Sequence, residues 1–596
     1  MQKTGREQLA ELATEDRLFN FRPLFFFALF LCLGIVFAYF HIFYSLSFWC
    51  LTALLPFAAA PFFFCRSIAK AKRIGAAFLA LVFAFSIGYG TFRAQINTYK
   101  DARLYQGEYT LGGRVVEKYR YDYAFGVLLD RISIDGREED GKLVAYLPAH
   151  FEDEVRLCDE VVLKGKVKTK MSTTGEYGFA ANDIDEDIRY TVEADECLVV
   201  GRDFGLFLWL RERIEKVVYA GMDKESASFT TAIITGDTSG IDKGVLENAR
   251  RGGIAHIFAV SGLHVGALYA FCLWICSTAR MRKKPKLVRF ILLASVLLFY
   301  GGICGYSASV VRATVLCLVF YASSLLGISS DSTDNLGLAA VIILLISPVD
   351  LFTVGFQLSF TACLGIVWLA RPIKDLIYGT GKKLRALFSA ILLLKNGKTT
   401  HGEVDVMETT GRTGTIGTIG ATGIADAMDK AQIRGLEAQG RNGHPPTVGQ
   451  RIIRACVSFL SVTLAAQIAT APLIAHAFGY ISVWALLLNC IFVPIISAAF
   501  SCLLLVIVLA CLLPIAWSGV ILFIPSSLLG IIVFFFEVLD FSAAIEGLRF
   551  SGGAFLIYYL GLTFCSDKWN LKKVYKIPLA VFCFLLFAVT VYALNA

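Results

Sequence analysis

The sequence predicts a polytopic α-helical membrane protein that carries one inserted small β-domain outside the cytoplasm. Three observations lead there. Apolar residues make up 56% of the chain and the mean hydropathy is +0.63, above the roughly 45–50% apolar share of soluble domains. Apolar runs of about 20 residues, the length a helix needs to cross a bilayer, recur along the chain. Between residues 101 and 201 the pattern changes to strand-like alternation.

The first apolar runs cover residues 24–44, 46–64 and 74–92. Arg66, Lys70, Lys72 and Arg73 lie between the second and third, and basic loops stay in the cytoplasm. The N-terminus is therefore expected inside, with the third helix delivering the chain to the outside. The first run lacks an Ala-x-Ala exit and reads as a retained helix rather than a cleaved signal. Residues 1–100 form an N-terminal transmembrane unit.

The insert at 101–201 carries Asp-Gly turns at Asp135-Gly136 and Asp140-Gly141. Its run at 161–170 sets Val161, Leu163 and Val167 on one face and Lys164, Lys166, Lys168 and Lys170 on the other, because strand side chains alternate. The lysines are either a solvated strand face or a phosphate-contacting stripe. The stripe reading works against a local balance of 13 Lys/Arg to 22 Asp/Glu over residues 101–200, although the whole chain carries +8. The basic excess thus sits beside the apolar segments, where it sets orientation. Most of the 16 cysteines are scattered through apolar helices, but Cys158 and Cys197 are the only two in the insert, 39 positions apart. Outside the cell they are a disulfide candidate, a loop closure worth roughly 3–4 kcal/mol.

Residues 202–253 form an amphipathic and polar entrance segment. Phe207, Leu210, Ile214, Val217 and Val218 share a face opposed by Arg211, Arg213 and Lys216, a pattern expected to lie along the membrane surface. A glycine-rich polar run from Thr235 follows, and then a helix expected from Ile254 to about Ser277. That helix would hold His256, Ser261 and His264 in apolar surroundings, where ionisable groups usually line a cavity or pathway. Arg280, Arg282, Lys283, Lys284, Lys286 and Arg289 then mark a cytoplasmic loop.

Residues 254–394 continue through apolar runs at 287–305, 308–327, 336–346 and 351–370, closed by Arg371, Lys374, Lys382, Lys383 and Arg385. The run at 336–346 is short and flanked by Asp331 and Asp334, as in a re-entrant or broken helix. Residues 395–450 are polar, with glycine at 411, 414, 417, 420 and 423, and read as a mobile cytoplasmic loop. No Gly-x-x-x-x-Gly-Lys-Ser/Thr motif occurs, so the chain carries no P-loop ATPase. Residues 451–596 hold runs at 452–475, 481–510, 512–536, 553–564 and 577–594, for thirteen crossings and an outside C-terminus.

Four polar signatures interrupt the apolar segments: Gly262-Leu263-His264, Tyr300 to Ala313, Ser347 to Phe360, and Ala471 to His476 followed by Asn489 and Pro494. Arg312 and Asp350 are expected to pair, since neither is tolerated alone in hydrocarbon. Each polar group taken singly reads as a helix-to-helix hydrogen bond. Four signatures together point to a shared polar pathway near His256, Ser261, His264, Arg312, Asp350, Gln357, His476 and Asn489. No metal site and no cofactor are expected, because an i, i+8 spacing sets His256 and His264 about 12 Å apart along a helix.

Thr235 to Gly266, Ser307 to Ala313, Ser347 to Phe360 and Ala471 to Pro494 resemble the motifs of the ComEC-type competence proteins, the membrane channel of bacterial natural transformation. The insert, including Gly175 to Asp183, resembles that family's extracytoplasmic OB-like domain. The resemblance implies a fold with a small OB-like β-barrel inserted into the helices. It also implies passage of single-stranded DNA through the cytoplasmic membrane, with a separate extracellular DNA receptor and a cytoplasmic ATP-driven helicase as partners beside the lipid bilayer. Many members carry a metallo-β-lactamase-like domain with a His-x-His-x-Asp-His motif. The motif is absent here, so no nuclease or other enzymatic activity is expected. Two alternatives stay open: a transporter of another polyanion or lipid, and a membrane-embedded hydrolase using Ser261 with His256 or His264. The second lacks a Gly-x-Ser-x-Gly elbow.

Overall fold

The computed structural model describes residues 22–44, 68–101, 103, 105–120, 125–152, 154–170, 181–202, 205–257, 260–326, 331–395, 448–514, 517–538, 543–547, 550–566 and 573–595. The expected span at 46–64 and most of the polar segment at 395–450 lie outside these residues. Helices α1 (Pro23–Tyr44) and α2 (Ile68–Lys100) lead into a β-domain of β1 (Gln106–Arg120), β2 (Phe125–Ile134), β3 (Arg137–Glu138), β4 (Lys142–Leu147), β5 (Asp159–Thr169), the short helix α3 (Ala181–Asp185) and β6 (Ile188–Arg202). Then come α4 (Leu206–Gly221), α5 (Lys224–Thr235), α6 (Lys243–Arg251), α7 (Gly262–Cys276), the single turn α8 (Ala279–Arg282), α9 (Lys286–Ile303), α10 (Ala308–Leu326), α11 (Ser332–Ile346) and α12 (Val354–Lys395). The chain closes with α13 (Val448–Phe478), β7 (Tyr480–Ser482), α14 (Ala485–Leu512), α15 (Ser518–Val538), β8 (Ala544–Glu546), α16 (Gly552–Cys565) and α17 (Lys573–Asn595).

Among the described residues nine helices are long and apolar enough to cross a membrane, and the chain is a multi-pass membrane protein. Three shorter apolar helices, α7, α11 and α16, occupy other expected spans. At 15 residues, α7 and α11 are each about 22 Å long, short of a hydrocarbon core of about 30 Å.

Contacts at the helix ends agree with the alternating order of crossings. Arg22, before α1, bonds Asp331, the N-cap of α11, at 2.6 Å. Lys286 at the start of α9 donates to the Leu325 carbonyl near the end of α10. At the opposite ends, Gln95 of α2 accepts from the Val349 amide just past α11.

In the β-domain, β1 pairs with both β2 and β5, β5 with β6, β6 in parallel with β4, and β4 with β2. Each of the five longer strands therefore has two neighbours among the other four, and β2 also pairs with β3, around a core that includes Leu111, Val127, Leu129, Leu163 and Tyr190. The Asp135-Gly136 turn has φ of 47° and 76°, as expected of a two-residue hairpin whose twist matches its strands.

Two expectations for this domain change. Cys158 and Cys197 form no disulfide with each other. The register sets Cys197 opposite Leu163, five positions along from Cys158, which at about 3.3 Å per residue separates them by roughly 16 Å, far beyond disulfide reach. The lysine stripe is interleaved with carboxylates. Lys164, Lys166 and Lys168 are exposed on alternate positions of β5, but Lys164 is opposite Glu196, and Lys166 lies between Glu108 and Glu193. Lys168 is 3.4 Å from Glu193, while Lys170, beyond the strand end, pairs with Asp183 at 2.7 Å. Cross-strand neighbours unseen in a single strand pattern cancel much of its field.

The β-domain is seated on the helices through a polar junction. Tyr99 of α2 donates to the Ile188 carbonyl at 2.8 Å. The Ser347 hydroxyl donates to Asp185 of α3, and Gln95 donates to Ser347. Asp350, in the turn Pro348–Phe352, lies 3.6 Å from Arg312 of α10, and both are buried. A side chain at Gly355 would collide with the Arg312 guanidinium. Burial, and next the charge of Asp185, raise the Asp350 carboxyl to about 6, with Arg312 opposing.

Non-reducing digestion is expected to release no Cys158–Cys197 linked peptide. Because Asp350 is raised above its ordinary value, the stability it contributes is present at low pH and is lost as pH rises through about 6. Arg312→Leu should therefore cost on the order of 3 kcal/mol near pH 7.5, where it strands a buried carboxylate, and clearly less at pH 5. Thermal unfolding of both forms at the two pH values measures this; an equal cost at both would contradict it.

Candidate functional site

The helix α5 has the sequence Lys-Glu-Ser-Ala-Ser-Phe-Thr-Thr-Ala-Ile-Ile-Thr, and residues 226–235 are all buried. So polar a helix can be buried because most of its hydroxyls are satisfied within it: Ser228, Thr230, Thr231 and Thr235 each donate to the carbonyl four residues back, while the Ser226 hydroxyl has no hydrogen-bond partner among the described residues. Asp223 caps its start by accepting from the Ser226 amide, and Gly236, at φ 88°, ends it in the left-handed region that glycine adopts freely. Asp237 accepts from the Ser239 amide, and Asp242 caps α6 by accepting from Gly244 and Val245. The polar stretch is thus a shaped wall with its amides engaged.

This wall bounds a chamber of about 1460 Å³, overhung by Glu117, Lys118 and Leu157 of the β-domain and floored by Val260, Cys304 and Ser307. Its volume exceeds that of usual small-molecule pockets, about 300–1,000 Å³. Lys118, Arg211, Lys224, Lys243 and Arg250 share the lining with Glu117, Glu225, Asp237, Asp242 and Glu247, a near balance of charge. Arg211 also donates to the Thr235 carbonyl, fixing α4 against the end of α5.

None of the eight pathway candidates lines this chamber. Ser261 and His264 form a capping box: the Ser261 hydroxyl accepts from the Leu263 amide, and His264 Nδ1 accepts from the Ser261 amide at 3.1 Å. The expected helix start at Ile254 therefore moves to Gly262, because a serine side chain that captures the first free amides begins a helix rather than continuing one. His256 is exposed in the separate turn Ala255–Ile257, so the i, i+8 helical spacing does not apply. No group of three His, Cys, Asp or Glu able to hold a metal occurs among the described residues. With Nδ1 accepting, His264 Nε2 carries the proton; it is buried without a hydrogen-bond partner among the described residues, its ring edge-on to Phe500 at 4.7 Å. A hydrolase would need an acid to orient that nitrogen.

The other candidates are dispersed. Asn489 donates to the Ala485 carbonyl at 2.7 Å and approaches that of Gly253 at 3.5 Å. Gln357 donates to the Leu351 carbonyl, holding the turn beside Asp350. His476 is exposed and edge-on to Phe555. Arg312 and Asp350 pair as expected, but at the β-domain junction. The segment expected as a polar entrance supplies Asp237, Asp242, Lys243, Glu247 and Arg250 of the chamber lining, but sequence reasoning missed Glu117 and Lys118 from the β-domain and the role of Asp185, which carries no motif of its own. The apolar face expected of α4 is observed in part as packing, with Ile214, Val217 and Val218 among the helices beside Leu522 and Leu529.

Ser261→Ala is expected to destabilise the protein by about 1 kcal/mol, the usual cost of losing a serine cap. Ser261→Asp should restore most of it. Thermal unfolding of the two variants checks the order.

A family model described as competence protein matches residues 233–400 and 435–572, about half the chain, and the match breaks within the polar segment. The chain is similar to ComE operon protein 3 of Bacillus subtilis (strain 168), 31% identical over 160 residues, 27% of this chain and 20% of that protein. It is also similar to Competence protein ComA of Neisseria gonorrhoeae, 26% identical over 189 residues, 30% of this chain and 27% of that protein. The chain thus spans only a fifth to about a quarter of these curated relatives. No solved structure matches it. With the family match running through the chamber wall, the capping box and the Arg312 and Asp350 segments, the chain belongs to the competence protein family.

Proposed function

We propose that this protein passes single-stranded DNA across the cytoplasmic membrane during DNA uptake, with the chamber beneath the β-domain as its entrance. The observation that carries the reading is the family match, which begins at residue 233 and so includes the chamber wall from Thr235. The ring of strand pairings, with β4 and β6 parallel, fits an OB-like barrel, a fold that tracks single strands. The basic clusters support an outside position for that barrel and the C-terminus and an inside position for the N-terminus. A near-neutral chamber suits transit, since a conducting path must bind its cargo weakly enough to release it. The dispersed groups His256, Ser261, His264, Arg312, Asp350, Gln357, His476 and Asn489 then serve to hold the helices around the path. The lysines of β5 contribute at most a weak contact to the strand. A separate DNA receptor outside and an ATP-driven helicase inside would supply capture and pull.

Deleting the gene should abolish entry of labelled DNA into the cell, and the double charge reversal Lys243→Glu/Arg250→Glu should lower entry several-fold with the protein at its normal membrane level. Unchanged entry in the deletion strain would discard DNA in favour of another polyanion or a lipid. Unchanged entry in the double variant would remove the chamber from the path.

A further inference from the structure

The end of β6 and the start of α4 present an apolar surface that the helices leave uncovered. Leu198 and Val200 are 66% and 62% exposed, and Leu206 and Trp209 are 53% and 50% exposed. Along β6 the pairing with β4 runs only from Ile188 to Glu193, while β5 pairs as far as Arg202. The segment Leu198-Val199-Val200 therefore has one open edge as well as exposed side chains. In water, an open apolar edge of this kind is a template for aggregation, which proteins normally blunt with charge or cover. Here the three consecutive residues carry no charge.

The surface is continuous with a helix that crosses the membrane by length and composition. Phe207 packs on Phe299 at 5.7 Å and against Gly302, both in α9. Leu298 and Phe299, on the outward side of α9, are themselves about half exposed. The half-exposed Trp209 has the apolar body and polar N–H that suit a bilayer boundary. Arg156 and Arg202 border a groove of about 610 Å³ that Leu198, Val199 and Val200 also line. Glu154 and Asp159 line it as well, and Arg202 pairs with Asp159 at 2.8 Å, so a charged, near-neutral rim lies beside the apolar strip, as at the level of lipid headgroups.

We propose that Leu198–Val200 of β6, with Leu206 and Trp209 of α4, is a lipid-docking strip that embeds this edge of the β-domain in the headgroup and upper acyl region of the bilayer. The occupant is phospholipid, and the proposal stands whatever substrate the chamber passes.

The test uses the full chain in nanodiscs of phosphatidylethanolamine and phosphatidylglycerol, doped with a phospholipid bearing a diazirine near its ester end. After irradiation, mass spectrometry should find lipid adducts on the peptides carrying Leu198–Val200 and Leu206–Trp209, as on α9, and none on the hairpin peptide carrying Gly136. In Leu198→Asp/Val200→Asp the β6 adducts should be lost while those on α9 remain. Adducts confined to α9 in the wild-type chain would overturn the proposal, as would β6 adducts that persist in the double variant.

Discussion

The arrangement of the two parts of this protein depends on the buried guanidinium of Arg312 and the carboxylates that gather around it. A charge inside a helical bundle is tolerated only when paired, and Arg312 has Asp350 at 3.6 Å, with its Nε left without a hydrogen-bond partner among the described residues. Asp350 is held in turn by the Thr353 hydroxyl and by the turn that Gln95 anchors. Asp185 joins from the β-domain through Ser347. The pair thus sits where the extramembrane domain meets α2, α10 and α12, and electrostatic satisfaction of the bundle is tied to docking of the β-domain. That gives the charge a registry role, the best attested use of buried ionic groups.

The chamber follows from a different constraint, the burial of a polar helix. The threonine hydroxyls of α5 close onto their own backbone, so the helix can be enclosed among α4, α14 and α15 without unsatisfied donors at Thr230, Thr231 and Thr235. Its end at Gly236 throws the chain outward, and the capped start of α6 at Asp242 brings it back. The loop between them faces the β-domain across the chamber. Opposed charges on this wall neutralise one another, as Arg250 does with Glu247, and the lining is polar without a strong field of either sign.

The architecture was legible in the sequence wherever a signal is local. Apolar length identified the long helices, alternation identified β5, and Asp135-Gly136 identified its hairpin, because each depends on a few neighbouring residues. The Arg312 and Asp350 pair was legible for an energetic reason, since each demands a counter-charge. Long-range pairing was not legible. The carboxylates that flank Lys164, Lys166 and Lys168 come from β1 and β6, and Asp185 reaches Ser347 across 162 positions. Cys158 and Cys197 looked like partners by compartment and count, but a register known only in the folded sheet separates them. Ser261 and His264 were visible as a polar pair, and what the sequence concealed was that they begin a helix instead of lining one.

The β-domain is held at both ends of its longest strands. At one end Thr169 accepts the Tyr105 amide and donates to the Arg103 carbonyl, close to where α2 delivers the chain, and Tyr99 bonds the backbone of Ile188. At the other end Arg202 bonds Asp159 at 2.8 Å, and Gly205 lies against Cys158 as α4 departs. Ten residue steps of β5, about 33 Å, separate these attachments, so the strand pair bridges two separate groups of helices. A domain fixed at one end alone would pivot over the chamber and vary the gap between Lys118 and the wall at Asp237. Fixed at both, it holds that gap constant, and an apolar strip at the α4 end resting in lipid would brace the attachment that has fewer polar bonds.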